Sequence, residues 1–539
     1  MDRKSRWQRM IPFLVPALLF AAVTAVSAAA AVRQAEGHLV YSLDDAYIHM
    51  AMVKNLARHG VWGVNASGFA SASSSLLWTA LLAGCYLLFG VNGWAPFALN
   101  VLSCLAVLFI ADLYWRRWGA APWLRALGGV AIVLCVPLAL LPLMGMEHSL
   151  HLLFSLWFAG ATVDLLLAPD PAGSRSGRLA LPLLAALLAA SRYEGLFLVG
   201  IAALLLACRR MFGRALATVA AAVLPLAGFS ALSLLSHGLA LPNPVLLKAT
   251  GPRLSILRTL LRFADRRDRL AWEQNPYFVA LLGLAVLLVL AALSMLRKWR
   301  VPGFILPCFL AVMIVLHFHY GFSPAFWVYR YSAYLVAFAV FALVAFLPAV
   351  RKLALPWRAL ATGAALAALA GVTITNQEWR EGIFPGREVA RVRRNFLEHV
   401  GAACFIRAAC PRGPVAVNDI GAVSFFADAE ILDLYGLGNV EPLRFRSEPR
   451  AREQADLDAW VRASGARLAV IQLGWSDMMA RLPKTWTEVG ELDLPMHNAR
   501  IGFFAVERGD GDTLRQKLQS FYEEWWRPRH ARLKLLPAA

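Results

Sequence analysis

The first 375 residues alternate long apolar runs with short polar connections. Runs close to the ~20 residues that cross a bilayer recur throughout this part. The predicted spans cover residues 11–32, 95–115, 124–142, 149–168, 179–191, 194–208, 214–236, 277–296, 302–320, 331–350 and 359–375. This pattern predicts a polytopic α-helical membrane protein with about eleven transmembrane helices.

One more apolar segment, residues 74–90, does not fit this alternation. Counting it as a full span would put every later basic loop on the wrong side of the membrane. We therefore expect it to be re-entrant, interfacial or part of a bent hairpin.

The pattern changes after residue 375, where short apolar runs alternate with amphipathic ones. Runs at 415–418, 430–434, 467–472 and 501–506 predict strands, and 387–403, 453–463 and 512–526 predict helices. The chain is therefore divided into a transmembrane domain, 1–375, and a water-soluble α/β domain, 376–539.

The charge distribution predicts the topology. The net charge is +19, yet residues 376–539 hold 23 Lys and Arg against 22 Asp and Glu. The excess lies in short basic clusters between spans, such as Arg116/Arg117, Arg209/Arg210 and Arg351/Lys352. Under the positive-inside rule these loops and the N-terminus are cytoplasmic, and the C-terminal domain is extracytoplasmic. Nucleic-acid binding is not indicated.

The N-terminus resembles a signal peptide, with a basic start, an apolar core and an Ala-rich end. Because residues 11–32 are long enough to span and many spans follow, we expect an uncleaved first helix. Cys404 and Cys410 could form a disulfide if the C-terminal domain is extracytoplasmic, and the sequence leaves that pairing open.

One predicted outer loop, residues 236–277, is strongly basic. Arg258, Arg262 and Arg266 recur every four residues, which predicts an interfacial amphipathic helix with an arginine stripe. These arginines could anchor the helix to anionic headgroups, or some of them could hold a phosphate-bearing lipid.

Asp44 and Asp45 are the most informative polar residues. Residues 33–375 contain eleven Asp and Glu, and only these two are adjacent. One carboxylate could cap the helix that begins here. Two close carboxylates could instead supply a general base, or hold a divalent cation such as Mg²⁺ or Mn²⁺.

Other polar residues stand where predicted spans meet the outer face: Glu147, Arg192, Glu194 and Arg330. Each alone is commonly a paired structural group, but their shared position on one side of the membrane indicates a site. A metal centre built from His49, His317 and His319 is not supported by any ligand spacing.

Several short motifs occur in a fixed order along the chain. They are Leu43-Asp-Asp-Ala-Tyr-Ile48, Ser74-Ser-Leu-Leu-Trp-Thr79, Gly145-Met-Glu-His-Ser-Leu150, Arg192-Tyr-Glu-Gly195, Leu241-Pro-Asn-Pro-Val-Leu-Leu-Lys248, Arg330-Tyr331, Asn418-Asp-Ile-Gly-Ala422 and Leu432-Asp-Leu-Tyr-Gly-Leu437. With them the chain resembles the integral-membrane type C (GT-C) glycosyltransferases that use polyprenyl-phosphate sugars. It is most similar to the group that contains the mycobacterial arabinofuranosyltransferases.

The resemblance implies a transferase in the bacterial cytoplasmic membrane that moves one sugar from a polyprenyl-phosphate donor to an extracytoplasmic glycan, lipid or protein. It implies that Asp44 or Asp45, with Asp44 favoured, is the catalytic base. The implied donor and phosphate ligands are Lys248, Arg330, Arg192, Asn243 and, from the arginine stripe, Arg258. The implied cavity residues are Tyr47, His49, Glu147, Glu194 and Tyr331. No ATP site is expected, because no phosphate-cradling Gly-rich motif is present.

Two other functions remain open at this point. A lipid or glycolipid transporter is one, although the chain shows no internal repeat and its polar residues cluster at one face. A glycan-binding scaffold that acts through the C-terminal domain is the other.

Overall fold

A computed structural model describes residues 3–168, 175–248, 302–319, 330–350, 363, 386–410, 413–446 and 448–536. The predicted spans 277–296 and 359–375, and Arg258 with its arginine stripe, lie outside these ranges. The described part contains a helical bundle followed by a unit built on a mixed sheet.

The bundle consists of helices joined mostly by short connections. They are α1 (Arg3–Gln34), α2 (Asp45–His59), α3 (Leu76–Phe89), α4 (Ala95–Arg117), α5 (Pro122–Cys135), α6 (Leu141–Met144), α7 (His148–Leu167), α8 (Arg175–Ser191), α9 (Gly195–Cys208), α10 (Phe212–Leu235), α11 (Asn243–Lys248), α12 (Pro302–His319) and α13 (Ala333–Val350). Capping residues determine where some of these helices begin or end. Ser75 caps α3 by accepting from the Trp78 N–H at 3.2 Å, and Gly60 ends α2 in a left-handed conformation.

Within the described residues, four helices are long and apolar enough to cross a membrane: α1 from Met10, α4, α7 and α10. The pair α5 and α6 also qualifies, with a bend of 53° between its members. The single span predicted at 124–142 is therefore broken, and the break falls at Val136–Pro137, where proline has no N–H to donate. Helix α3 has 14 residues, fewer than the ~20 of a full span.

The C-terminal unit contains six strands: β1 (Pro414–Val417), β2 (Glu430–Asp433), β3 (Leu468–Gln472), β4 (Thr487–Leu494), β5 (Ala499–Ala505) and β6 (Arg532–Leu535). Their order in the sheet is β2-β1-β3-β5-β4-β6. Strand β1 pairs in parallel with β2 and β3, and the remaining pairs are antiparallel. The predicted α/β class is confirmed, and β4 and β6 are strands that the sequence patterns did not predict.

Helices flank this sheet: α14 (Gly386–Asn395), α15 (Gly401–Ala409), α16 (Gly421–Phe426), α17 (Glu441–Phe445), α18 (Arg450–Ala463), α19 (Ser476–Arg481) and α20 (Gly511–Phe521). A π-helical turn, Phe396–Val400, joins α14 to α15. Cys404 and Cys410 are free thiols in this structure.

The sheet unit and the bundle share a hydrophobic core. Ile48 and Met52 of α2 pack in the same buried cluster as Val417, Ile420 and Val423 of the C-terminal unit. Polar contacts add to this packing, since the Asn395 amide donates to the Tyr41 carbonyl at 3.0 Å. The C-terminal unit therefore lies directly against the start of α2, where the acid pair is found.

Candidate active site

Asp44 caps a helix, but not the one that follows it. It stands just before α2, yet its side chain makes no capping hydrogen bond to α2. Its carboxylate accepts instead from the backbone N–H groups of Gly421, at 2.6 Å, and Ala422, at 2.8 Å. These N–H groups begin α16, so Asp44 connects the bundle to the C-terminal unit.

Only glycine fits at position 421. A β-carbon there would collide with the carbonyl oxygen and the carboxylate of Asp44. The close approach that brings the Gly421 N–H within hydrogen-bonding distance therefore depends on the absence of a side chain.

Lys54, further along α2, contacts the opposite end of α16. Its ammonium donates to the carbonyl of Phe425 at 2.7 Å and to that of Ser424 at 3.3 Å. It also pairs with Asp428 at 3.2 Å. The segment from Asp44 to Lys54 thus contacts both ends of α16. The acid lies at the end with exposed N–H groups, and the base lies at the end with exposed carbonyls.

Asp45 points to a different partner. Its Oδ2 accepts from Nη2 of Arg330 at 2.8 Å, and its side chain is 33% exposed. The guanidinium of Arg330 is buried, with 3% of the side chain exposed. Within the described residues, its Nε and Nη1 atoms have no hydrogen-bond partner. The N–H groups of two buried guanidinium nitrogens therefore remain for an anion beside an accessible carboxylate.

A buried ionic network lies behind Arg330. Arg192 pairs with Glu194 at 2.6 Å and makes a short ion pair with Glu147. His49 Nε2 lies 3.8 Å from Glu147, and the Tyr331 ring centre is 5.1 Å from the Arg192 guanidinium and 4.9 Å from that of Arg330. The structure therefore joins five of the predicted site residues, namely Arg192, Glu194, Glu147, His49 and Tyr331, to Arg330 and Asp45.

Other predicted site residues are placed differently. Tyr47 is 1% exposed, and its hydroxyl accepts from the Tyr41 N–H at 3.0 Å, so it belongs to the core rather than to an open cavity. The Asn243 side-chain amide donates to the Leu437 carbonyl at 3.0 Å and thereby joins α11 to the loop after β2. Lys248 ends α11, and its side chain is outside the described part of the chain.

Two residues of the C-terminal unit complete the surroundings of Asp44. His399 Nδ1 lies 3.6 Å from Asp44 Oδ1 and 3.8 Å from Asp419 Oδ2. Burial and the neighbouring Asp44 charge raise the pKa of Asp419 well above its usual value. The sequence analysis missed His399, which is separated from Asp44 by more than 350 residues, and gave Gly421 no role at the site. The motif Asn418–Ala422, which contains Asp419 and Gly421, was the available signal.

The acid pair does not act as one chelating unit. Asp44 faces α16, Asp419 and His399, whereas Asp45 faces Arg330. A divalent cation held by Asp44 and Asp45 together does not fit these contacts. Among the described residues, the set of three ligands that could hold a metal ion is Asp44, His399 and Asp419.

Comparisons with known proteins address the fold. A family model described as "Domain of unknown function (DUF8728)" matches residues 387–522, and no curated protein matches the chain. The crystal structure of ArnT from Cupriavidus metallidurans in the apo state is similar over 91% of this chain and 97% of that chain, with 15% identity and a TM-score of 0.50.

Two further crystal structures show weaker similarity. ArnT bound to undecaprenyl phosphate matches over 91% of this chain and 98% of its own, with 15% identity and a TM-score of 0.49. The Archaeoglobus fulgidus oligosaccharyltransferase in the apo form matches over 91% and 75%, with 10% identity and a TM-score of 0.49. At such identities the similarity to ArnT in the apo state is a similarity of fold.

Proposed function

We propose that this chain, which has the fold of the type C glycosyltransferases, transfers one sugar from a polyprenyl-phosphate donor to an acceptor at the membrane surface. The acceptor would be a hydroxyl of a glycan, lipid or protein. The placement in a bacterial cytoplasmic membrane, with the C-terminal unit on the extracytoplasmic side, belongs to this proposal. So does assignment to the arabinofuranosyltransferase group.

The Asp45–Arg330 pair carries the proposal. Glycosyl transfer from a lipid phosphate needs a base for the acceptor proton and a cation for the departing phosphate. Asp45 is an accessible carboxylate, and the Nε and Nη1 atoms of Arg330 are buried without hydrogen-bond partners in the described part of the chain. Their N–H groups can donate to phosphate oxygens, and the guanidinium supplies the positive charge.

The reaction would follow from this arrangement. The acceptor oxygen forms a bond to the anomeric carbon while the bond from that carbon to the phosphate oxygen breaks. The acceptor proton moves to Asp45, and the bonding electron pair leaves with the phosphate, whose charge Arg330 stabilises. The binding of the donor phosphate to Arg330 also weakens the hold of that cation on Asp45, which makes Asp45 a better base.

We assign the base to Asp45 rather than to Asp44. Both carboxylate oxygens of Asp44 accept backbone N–H groups, and its side chain is 7% exposed. The oxygens of Asp44 are thus already occupied, and little of its side chain is open to an acceptor hydroxyl. Asp44 is therefore better suited to hold α2 against α16, which places Asp45 beside it.

The buried ionic network would keep Arg330 in position. Arg192 is held by Glu147 and Glu194, and Tyr331 lies close to both guanidinium groups. This network fixes the orientation of Arg330 before the donor arrives, which lowers the reorganisation needed in the reaction. Lys248 and Arg258 remain proposed phosphate ligands from the sequence pattern.

The test uses lipid-linked sugars extracted from cells that lack this chain, in which the unused donor should accumulate. The extract is reconstituted with the purified full chain in lipid nanodiscs. Mass spectrometry should show that one sugar-bearing lipid disappears and that free polyprenyl phosphate appears. The sugar is identified by the mass lost from the lipid.

The double variant Asp44→Ala with Asp45→Ala should stop this release, whereas Asp477→Asn, a substitution at an exposed acid of the C-terminal unit, should not. Normal turnover by the double variant would overturn the proposal. Movement of labelled lipid across the bilayer without any covalent product would favour a transporter instead.

A further inference from the structure

Three potential metal ligands from distant parts of the chain converge next to Asp45. They are Oδ1 of Asp44, Nδ1 of His399 and Oδ2 of Asp419, and their ligand atoms all lie within 4.8 Å of one another. We infer that Asp44, His399 and Asp419 bind one divalent transition-metal ion of the Zn²⁺ type, which fastens the C-terminal unit to the membrane bundle.

The distances fit such an ion. Bonds of about 2.0–2.2 Å in tetrahedral geometry place neighbouring ligand atoms about 3.4 Å apart. The two distances from His399 to the carboxylates are 3.6 and 3.8 Å. Shifts of a few tenths of an ångström would bring these two distances to the tetrahedral value. Two oxygens and one nitrogen are a ligand set that suits Zn²⁺.

Within the described residues, the imidazole of His399 contacts three carboxylates, with Nδ1 toward Asp44 and Asp419 and Nε2 toward Glu398. Its side chain is 9% exposed, and both distances from Nδ1 are longer than a hydrogen bond. It lies in the π-helical turn Phe396–Val400, a local distortion that is common at functional sites. The turn directs a buried nitrogen toward two carboxylates without pairing it with either.

Asp44 and Asp419 bring two buried carboxyl groups close together. Within the described residues, His399 is the one basic side chain within 4 Å of Asp44 or Asp419. The neighbouring arginines are already paired, Arg394 with Glu398 at 2.6 Å and Arg330 with Asp45. Two buried carboxylates this close need either a bound cation or a shared proton. A metal ion neutralises both.

The groups next to Asp44 and His399 are arranged like those that surround the ligands of bound metal ions in proteins. The N–H groups of Gly421 and Ala422 orient the carboxylate of Asp44. Glu398 lies 3.7 Å from Nε2 of His399, on the far side of the ring from Nδ1. A carboxylate near the second nitrogen of a metal-binding histidine fixes its tautomer and orientation.

The experiment measures metal directly in the purified full chain. After treatment with a chelator and removal of the chelator, the protein is titrated with ZnCl₂, and its metal content and thermal midpoint are measured. We expect about one equivalent of zinc per chain and a higher midpoint. MgCl₂ at the same concentration should have little effect, because Mg²⁺ prefers six oxygen ligands.

Variants of the proposed ligands test whether these residues bind the metal ion. His399→Gln and Asp419→Asn should each lose the bound equivalent and the rise in midpoint, whereas His59→Gln, at an exposed histidine, should keep both. Co²⁺ bound to the unaltered protein should give the intense visible absorption of a four-coordinate site, a signal that does not depend on how well the variants fold.

Two results would overturn the inference. One is a wild-type chain that neither retains zinc nor gains stability from it, which would mean that a proton satisfies the two acids. The other is unchanged zinc binding in both His399→Gln and Asp419→Asn. Loss of zinc binding with sugar transfer intact would leave the proposed function standing, so the two proposals can fail separately.

Discussion

Asp44 and Lys54, ten residues apart at the start and middle of one membrane-bundle segment, hold the two ends of the same short helix, Gly421–Phe426. The acid accepts the exposed N–H groups and the base donates to the exposed carbonyls. The acid pair is therefore positioned by the C-terminal unit and not by its own loop alone.

The first prediction separates the two acids. Asp45→Asn should lower sugar transfer by about 10²–10⁴-fold, because the base is lost, with little change in thermal midpoint. Asp44→Asn should mainly lower stability, by about 1–3 kcal/mol, because its amide turns a donor toward the N–H groups of α16. Turnover assays and melting of the purified variants measure both. Full activity of Asp45→Asn would refute the assignment of the base.

The second prediction concerns the phosphate. Arg330→Lys keeps the charge but loses the N–H groups of Nε and Nη1, so binding of polyprenyl phosphate should weaken by about 10–100-fold. Native mass spectrometry with polyprenyl phosphate alone measures this affinity. Arg500→Lys, at an arginine 58% exposed on the sheet, is the matched control and should bind like the wild type. Equal affinity in both variants would exclude Arg330 as a phosphate ligand.

The third prediction tests the contact between bundle and sheet unit. Gly421→Ala should destabilise the protein by about 1–3 kcal/mol or more, since its methyl group collides with Asp44. Gly474→Ala is the control, because a β-carbon there meets nothing within 4 Å. Thermal midpoints and trypsin sensitivity in detergent provide the measurement. If both alanine variants melt alike, the close approach of Asp44 to α16 is not essential.

The fourth prediction concerns pH. Burial raises the pKa of Asp433 to about 6, against the opposing effect of backbone N–H groups such as those of Gly438 and Tyr435. The unfolded carboxyl has a pKa of about 3.9, so between about pH 4 and 6 the folded state holds a proton that the unfolded chain has lost. Stability should therefore fall as pH rises through this window, by up to about 3 kcal/mol.

Melting curves at about pH 4.5 and pH 6.5 measure this effect. Asp433→Asn cannot lose a proton here, so its melting midpoint should depend less on pH than that of the wild type, even if it is lower overall. The same pH dependence in both proteins would show that Asp433 is ionised throughout this range.

Much of the architecture could be predicted from local patterns. Long apolar runs predicted the helices of the bundle, and short apolar runs predicted β1, β2, β3 and β5. Strands β4 and β6 were not predicted, because they carry several charged residues and such segments are typical of loops or of the surface. In β4 these residues are Glu488, Glu491 and Asp493. They occupy the outer part of the sheet, where one face can be polar.

Some of the residues that form the site could also be predicted from the sequence. The adjacency of Asp44 and Asp45 and the ordered motifs around Arg192 and Arg330 indicated which residues meet. The partner of each acid could not be predicted from the sequence. The capping pattern at the start of α2 predicted a local role for one carboxylate, yet that carboxylate binds N–H groups 377 and 378 residues away.

Hydropathy and periodicity are properties of neighbouring residues, which is why the chain alone could reveal a membrane bundle, a terminal α/β unit and an acid pair of interest. Which acid stays accessible and which one is held by backbone N–H groups depends on where α16 packs against α2. That packing joins surfaces far apart along the chain. The difference between the surroundings of Asp44 and those of Asp45 therefore arises only when the two parts fold together.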